Sequence, residues 1–228
     1  MWILSGRGGF LRPGRENDGV TRCVLLDALG TLVELEPPWV HLAAELGIDS
    51  DERLERAFRA EMSHYREHAD EGRDPDSLAD LRRRCAGVLS AELGREISVD
   101  RMMGAIRFRA FPDAAPALVD LRGTGLRLVC VSNWDYSLPE VLARVGLADR
   151  LDGVVTSAGV GARKPDPRLF EAALEIAGCS AGEALHVGDT PAEDLEGARA
   201  AGIRALLIDR DGGGDIGSLV SIRHHLDL

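Results

Sequence analysis

The sequence has almost no lysine and few aromatic residues. Of its 27 cationic side chains, 26 are arginine, and the single lysine is Lys164. Cations are also outnumbered by 38 acidic side chains, which gives a net charge of −11. The negative field of such a chain repels nucleic acids and anionic membrane surfaces. We therefore expect neither of them as a partner.

Long apolar runs and paired cysteines are also lacking. No run approaches the ~20 apolar residues that a membrane span needs, and the apolar patch in residues 1–10 is too short for a secretory signal, so we expect a cytoplasmic protein. The four cysteines form no C-x-x-C pair, and we predict that they are reduced packing residues; they are Cys23, Cys85, Cys130 and Cys179. With 228 residues, 45% of them apolar, the chain can bury the core of one large domain or of a domain with an insertion.

Short apolar runs alternate with helical segments in most of the chain. The runs lie at 23–26, 126–131, 153–156, 184–187 and 205–208, and the helical segments lie at 114–122, 138–145, 167–177 and 192–201. Apolar strands separated by helices of about ten residues favour a parallel sheet covered on both faces. The predicted fold class is therefore α/β, with a Rossmann-like parallel sheet and helices on both faces.

Residues 37–109 depart from this alternation. Their apolar residues follow helical spacing, as in the stripe of Leu54, Phe58, Met62 and Tyr65, and no strand-like run is evident. We predict an all-helical cap domain at 37–109, inserted into a core made of 20–36 and 110–228, with hinges near residues 36 and 109. Residues 1–19 show neither helical nor strand periodicity and are predicted to form a mobile tail.

Polar residues stand at the carboxyl ends of the predicted strands. Asp27 follows the first run in Asp-Ala-Leu-Gly-Thr, and Ser132 ends the second. Lys164 lies in Arg-Lys-Pro-Asp-Pro, and Asp189 and Asp194 lie in Gly-Asp-x-x-x-x-Asp. These ends meet at one edge of a parallel sheet. A carboxylate nucleophile, a hydroxyl, an ammonium and an acidic pair are together suited to hold, neutralise and attack a phosphoryl group.

The order of these residues resembles the haloacid dehalogenase (HAD) superfamily, in the branch with a helical cap after the first motif. The resemblance spans about residues 20–210, with DALGT, VSN, the lysine of RKPDP and GDTPAED as the four motifs. It implies an aspartate that attacks the substrate and forms an ester, which water then hydrolyses. On this resemblance Asp27 is the catalytic nucleophile, and Lys164 is the catalytic cation that offsets the developing charge.

Binding roles follow from the same resemblance. The substrate-binding residues it implies are Thr31, Ser132, Asn133 and Lys164. The magnesium ligands it implies are Asp27, the main-chain carbonyl of Leu29, Asp189 and Asp194, the last through water or by orienting its helix. Oxygen ligands suit a hard Mg²⁺ ion. In the cap, Trp39, His64 and Arg107 are candidate contacts to the substrate.

Leu29 departs from the family's pattern. Phosphatases of the family carry a second aspartate there, which protonates the leaving alkoxide, and general acid catalysis contributes roughly 10²- to 10⁴-fold. Dehalogenases lack this acid and work without metal, but they have a stretch rich in serine and asparagine in place of the fourth motif. Hydrolysis of phosphonates requires a lysine in the cap, and 37–109 contains none.

The sequence therefore predicts a Mg²⁺-dependent hydrolase with an aspartate nucleophile, a phosphatase acting on small phosphate esters with good leaving groups. Two alternatives stay open. One is a metal-independent 2-haloacid dehalogenase, and the other is a noncatalytic protein that binds phosphate esters or a partner. We expect a small-molecule substrate and a monomer or homodimer.

Overall fold

The computed structural model describes residues 20–227, so the predicted tail at 1–19 lies outside the described part. The strands are β1 (Cys23–Leu26), β2 (Val33–Leu35), β3 (Phe108–Ala110), β4 (Arg127–Ser132), β5 (Gly153–Thr156), β6 (Ala184–Gly188) and β7 (Arg204–Leu207). The α-helices are α1 (Pro38–Leu46), α2 (Glu52–His68), α3 (Pro75–Leu93), α4 (Val99–Ala105), α5 (Ala114–Gly123), α6 (Leu138–Arg144), α7 (Ser157–Val160), α8 (Pro167–Ala177) and α9 (Gly197–Ala200).

Five strands form one parallel sheet in the order β5-β4-β1-β6-β7, which confirms the predicted fold class. The central strand β1 is fully buried because it has a neighbour on each side and helices on both faces. Its side chains alternate, so that Val24 and Leu26 face the core under α5 and α6, whereas Cys23 and Leu25 face the core under α8 and α9. The five predicted strands are all present.

Helices α1–α4 share a hydrophobic core of their own, which includes Leu42, Phe58, Leu81 and Met102. The antiparallel pair β2–β3 connects this group of helices to the sheet, with Val33 opposite Ala110. No strand was expected within 37–109, and this prediction is wrong for β3, which begins at Phe108. A three-residue strand carries almost no periodicity of its own and is specified by the partner strand that accepts it.

The last predicted helix also differs. Residues Pro191–Glu196 form a π-helical turn before α9, where an α-helix was predicted from 192. The wider turn brings Asp194 back towards the end of β6, as described below. Within residues 20–227 no helix is long and apolar enough to cross a bilayer.

The cysteines do not all stay reduced as predicted. Cys23 and Cys179 form a disulfide, whereas Cys85 and Cys130 are free and buried. The bond links the start of β1 to the segment after α8. The prediction is wrong for this pair because the two residues are 156 positions apart in sequence and become neighbours only when α8 packs on the sheet.

Candidate active site

The polar residues predicted from the strand ends gather at the carboxyl edge of the parallel sheet. Asp27 directly follows β1, Ser132 ends β4, and Asp189 directly follows β6. The backbone N–H of Asp27 donates to the carbonyl of Val187 at 2.9 Å, which continues the pairing of β1 with β6 by one residue. The sheet therefore places Asp27 opposite Gly188, the residue before Asp189.

A buried ammonium joins two of these carboxylates. Lys164 Nζ lies 2.6 Å from Asp27 Oδ1 and 2.5 Å from Asp194 Oδ1. The three residues are 2%, 5% and 1% exposed, respectively. Charges held this far from water are tolerated only when they are paired. Lys164 is thus the counterion of both acids.

Asn133 holds the backbone of Lys164 in place. Its Oδ1 accepts from the N–H of Lys164 at 2.7 Å, and its Nδ2 donates to the carbonyl of Lys164 at 3.1 Å and to Glu193 Oε2 at 2.9 Å. Both ends of the amide are therefore engaged with protein groups. The substrate-binding role assigned to Asn133 stays a prediction, and the contacts show a positioning role that the sequence did not reveal.

Asp194 is surrounded by donors. Its Oδ1 also accepts from His186 Nε2 at 2.9 Å, and its Oδ2 accepts from the N–H of Thr190 at 2.9 Å. A Cβ on Gly188 would lie 2.1 Å from Asp194 Cγ, so only glycine fits there. His186 was not predicted as a site residue. The sequence signal that could have identified it is a single histidine within the apolar strand β6.

Three acids form a cluster of oxygen donors. Asp27, Asp189 and Asp194 each offer a carboxylate oxygen, and these oxygens lie within 4.8 Å of one another. Gly30, at φ +81°, leaves room for this cluster, because a Cβ there would lie 2.0 Å from Asp189 Oδ2. Three carboxylates around the one ammonium of Lys164 leave an excess of negative charge. This donor set fits a hard divalent cation such as Mg²⁺.

The charges of the cluster shift one another's pKa values. Burial raises the pKa of Asp27, and the nearby Lys164 ammonium offsets only part of that rise. Burial acts on Asp194 in the same direction, but there Lys164 and His186 outweigh it and hold its pKa below the usual range. Burial, followed by the charge of Asp194, raises the pKa of Asp189. A bound cation would favour the ionised forms of Asp27 and Asp189.

A cavity of about 370 Å³ opens above the cluster, between the sheet edge and helices α2–α4. The residues predicted for catalysis, phosphate binding and metal binding all line it except Thr31, which is fully buried with its Oγ1 unpartnered within residues 20–227. Leu29 lines it and also packs against the hydrophobic core beneath the sheet edge. The predicted cap contacts Trp39, His64 and Arg107 do not line it.

From the helices, the cavity is lined by Glu61, Met62 and Tyr65 of α2, Arg82 and Cys85 of α3, and Met102 and Met103 of α4, among others. Tyr65 Oη donates to Asp135 Oδ2 at 2.8 Å, in the loop after β4. The N–H of Tyr136 in the same loop donates to the carbonyl of Gly72 at 2.8 Å. These contacts hold α2 and the turn after it against the sheet edge.

The chain is similar to known proteins in both sequence and fold. A family model described as haloacid dehalogenase-like hydrolase matches residues 21–202. A phosphoserine phosphatase of Thermus thermophilus is 40% identical over 120 residues, which cover 52% of this chain and 48% of that protein. The chain thus spans about half the length of the curated relatives that it matches.

Solved structures match this chain over most of its length. A HAD phosphatase from Thermococcus onnurineus has a TM-score of 0.64 and 27% identity, and the match covers 90% of this chain and 97% of that one. An L-2-haloacid dehalogenase from Xanthobacter autotrophicus has a TM-score of 0.63 and 26% identity, covering 83% of this chain and 78% of that one. Phosphatases and dehalogenases are thus both found among the structural neighbours.

Proposed function

Because the chain belongs to the family of haloacid dehalogenase-like hydrolases, we propose that it is a Mg²⁺-dependent phosphatase acting on small phosphate esters with good leaving groups. The observation that carries the proposal is the buried Lys164 ammonium between Asp27 and Asp194 at the floor of the cavity, with Asp189 beside them. The similarity to a protein named phosphoserine phosphatase supports the choice of phosphate esters over haloacids.

Asp27 is the proposed nucleophile. Its carboxylate attacks phosphorus, the ester oxygen leaves with the bonding electrons, and an aspartyl phosphate forms on Asp27. Water then attacks this acyl phosphate and restores the free carboxylate. Lys164 neutralises charge on the transferring group, and the hydroxyl of Ser132, which lines the cavity, donates to a phosphoryl oxygen.

Asp27 and Asp189 would hold the Mg²⁺ ion, together with the predicted main-chain carbonyl of Leu29. When bound, Mg²⁺ supplies positive charge that orients the phosphate and offsets its repulsion from the nucleophile. Asp194 acts by positioning, because its oxygens already accept from Lys164, His186 and Thr190. It holds the ammonium in reach of Asp27.

Leu29 restricts the range of phosphate esters that react. This residue lines the cavity two positions after Asp27, and its side chain has no proton to give to a leaving oxygen. Esters whose leaving group is stable as an anion, such as aryl or acyl phosphates, need no such proton. Alkyl phosphates therefore react slowly with this enzyme.

Residues 37–109 are proposed to act as the cap. Helices α2–α4 cover the cavity, and the contact of Tyr65 with Asp135 links the cap to the loop after β4. A closed cap excludes water and strengthens the electrostatic interactions inside. Release of the product requires these contacts to open.

The test is phosphate release from a panel of aryl, acyl and alkyl phosphates, with and without Mg²⁺. Asp27→Asn is expected to abolish turnover, while Asp149→Asn, a change at an exposed aspartate outside the cavity, leaves it intact. Beryllium fluoride is expected to bind tightly with Mg²⁺ to the original protein and not to Asp27→Asn. Full activity of Asp27→Asn would contradict the proposal.

The dehalogenase stays a second candidate because Leu29 also suits it, since a halide leaves without a proton. Chloride release from 2-chloropropionate in the presence of a chelator would establish that activity and overturn the phosphatase. Absence of turnover on every ester and haloacid, with no binding of beryllium fluoride, would instead favour a noncatalytic binding protein.

A further inference from the structure

One acid in the cavity has no place in the proposed chemistry. Glu61 lies on α2, is only 3% exposed and lines the same cavity as Asp27. It occupies a core position of its helix, three residues after the buried Phe58 and four before Tyr65. At such a position an apolar side chain is expected, and the sequence pattern had pointed to the neighbouring Met62.

Within residues 20–227 Glu61 also forms no ion pair with a lysine, arginine or histidine. The one polar side chain that acts on it is the thiol of Cys85 on α3. Arg59 pairs with Glu55, and Arg84 pairs with Glu71 and Asp80. Arg66 and Arg82 line the same cavity, but within residues 20–227 neither forms an ion pair with Glu61. Burial raises the pKa of Glu61 to about 7, as expected of a carboxyl that has left water without gaining a counterion.

The acids at the floor of the cavity provide the contrast. Asp27 and Asp194 are as deeply buried as Glu61, but they share the ammonium of Lys164. An isolated buried carboxylate is costly, and its cost falls when a ligand brings the missing positive charge. Glu61 faces a space in which such a ligand fits, because it lines a cavity of about 370 Å³.

We propose that Glu61 is a specificity-determining residue that receives an ammonium group of the substrate, so that the preferred phosphate esters carry a primary amine. This inference rests on the proposed function, which places the phosphate end of the substrate. The phosphate lies at Asp27 and Lys164 on the sheet edge, and the amine reaches Glu61 on α2. A compact ammonium donates to the carboxylate of Glu61, while the carbon skeleton packs against the methionine side chains of the cavity, Met62, Met102 and Met103.

The test compares two aryl phosphates that differ only in the amine, namely tyramine O-phosphate and 4-ethylphenyl phosphate. Both release a phenol of similar acidity, so neither depends on the proton donor missing at Leu29. We expect kcat/KM to favour the amine by roughly ten- to a hundred-fold, the range for a hydrogen bond to a charged group. Most of the difference should lie in KM, because the amine binds away from the reacting bond.

Glu61→Gln keeps the size of the side chain and removes its charge. It is expected to bring the ratio of the two kcat/KM values close to one. The matched control is Glu67→Gln, which changes an exposed acid on the same helix outside the cavity and should keep the ratio of the original protein. Equal rates for the two esters in the original protein, or an equal loss on both in Glu61→Gln, would overturn the inference.

A binding measurement separates this inference from the proposed function. If neither ester is hydrolysed, the proposed phosphatase fails, and calorimetry with tyramine and 4-ethylphenol then decides the role of Glu61. Binding of tyramine that is tighter than that of 4-ethylphenol and is lost in Glu61→Gln supports it. Equal binding of the two phenols, or tyramine binding that survives in Glu61→Gln, refutes it.

Discussion

Leu29→Asp restores a proton donor to the site. Leu29 lines the cavity two residues after Asp27, the proposed nucleophile, so we expect a carboxyl at this position to reach the leaving group. We expect this single change to accelerate the hydrolysis of alkyl phosphates, because an alkoxide leaves slowly unless it is protonated.

The size of the effect follows from two opposing contributions. A well-placed general acid contributes roughly 10²- to 10⁴-fold. The introduced carboxyl has to hold its proton at neutral pH. Partial burial raises its pKa in that direction, whereas a Mg²⁺ ion held by Asp27 and Asp189 lowers it. Replacing Leu29 also removes apolar contacts with the core beneath the sheet edge. We therefore expect a net gain of at least about tenfold in kcat on glycerol phosphate, with little gain on 4-nitrophenyl phosphate.

The assay is release of inorganic phosphate at saturating Mg²⁺ from a series of esters whose leaving groups differ in pKa. Leu29→Asn is the control, because it has the same shape and polarity as the acid but no proton to transfer. The reasoning is refuted if a folded Leu29→Asp enzyme shows no gain on alkyl esters, or if Leu29→Asn gains as much. In either case another group already protonates the leaving oxygen or protonation does not limit the rate.

Three further predictions concern buried charge and tight packing. Gly30→Ala is expected to weaken Mg²⁺ binding at least tenfold by calorimetry, because its Cβ would meet Asp189; Gly125→Ala has a similar positive φ with no atom within 4 Å and should bind Mg²⁺ normally. Lys164→Met leaves two buried carboxylates without a counterion and should lower the free energy of unfolding by about 3–5 kcal/mol in chelator at pH 7, with a smaller loss at pH 4; an equal loss at both pH values would contradict it. Burial raises the pKa of Glu61 from 4.5 to about 7 in the folded state. The stabilisation that the bound proton provides is therefore complete below pH 4.5 and is lost as the pH rises through 7, about 3 kcal/mol in all. Urea unfolding between pH 4.5 and 8 should therefore show a shallower fall for Glu61→Gln, and parallel curves for the two proteins would disprove the shift.

The sheet could be predicted from the sequence because its strands carry their own signal. Cys23–Leu26 and Ala184–Gly188 are buried on both faces, so each is a short, largely apolar run that ends at a polar residue. In a parallel sheet those ends lie at one edge. The meeting of Asp27 with Asp189 thus follows from strand order, and Lys164 was identified because it is the one lysine of the chain.

What could not be predicted depends on distant partners. β3 forms because β2 is there to pair with it, and Cys23 meets Cys179 only through the packing of α8 on the sheet. The burial of Glu61 was not predicted, because the apolar Met62 at the next position was assigned to the buried stripe of the helix. One residue on a helix turns the side chain by about 100°, so a charged neighbour of a stripe looks exposed until the packing of α2 against α3 is known.

The scarcity of lysine has a physical explanation at one position. Lys164 Nζ contacts Asp27 and Asp194 at 2.6 and 2.5 Å, and both contacts are made by the same nitrogen atom in a buried space. A guanidinium is larger than an ammonium and donates only within its plane, so it fits two converging oxygens in this compact buried space less well. Exposed ion pairs elsewhere in the chain, such as Arg59 with Glu55 and Arg223 with Asp120, impose no such demand. A sequence that uses arginine for all its other cations therefore still needs an ammonium at this site, which is why its one lysine identifies the site.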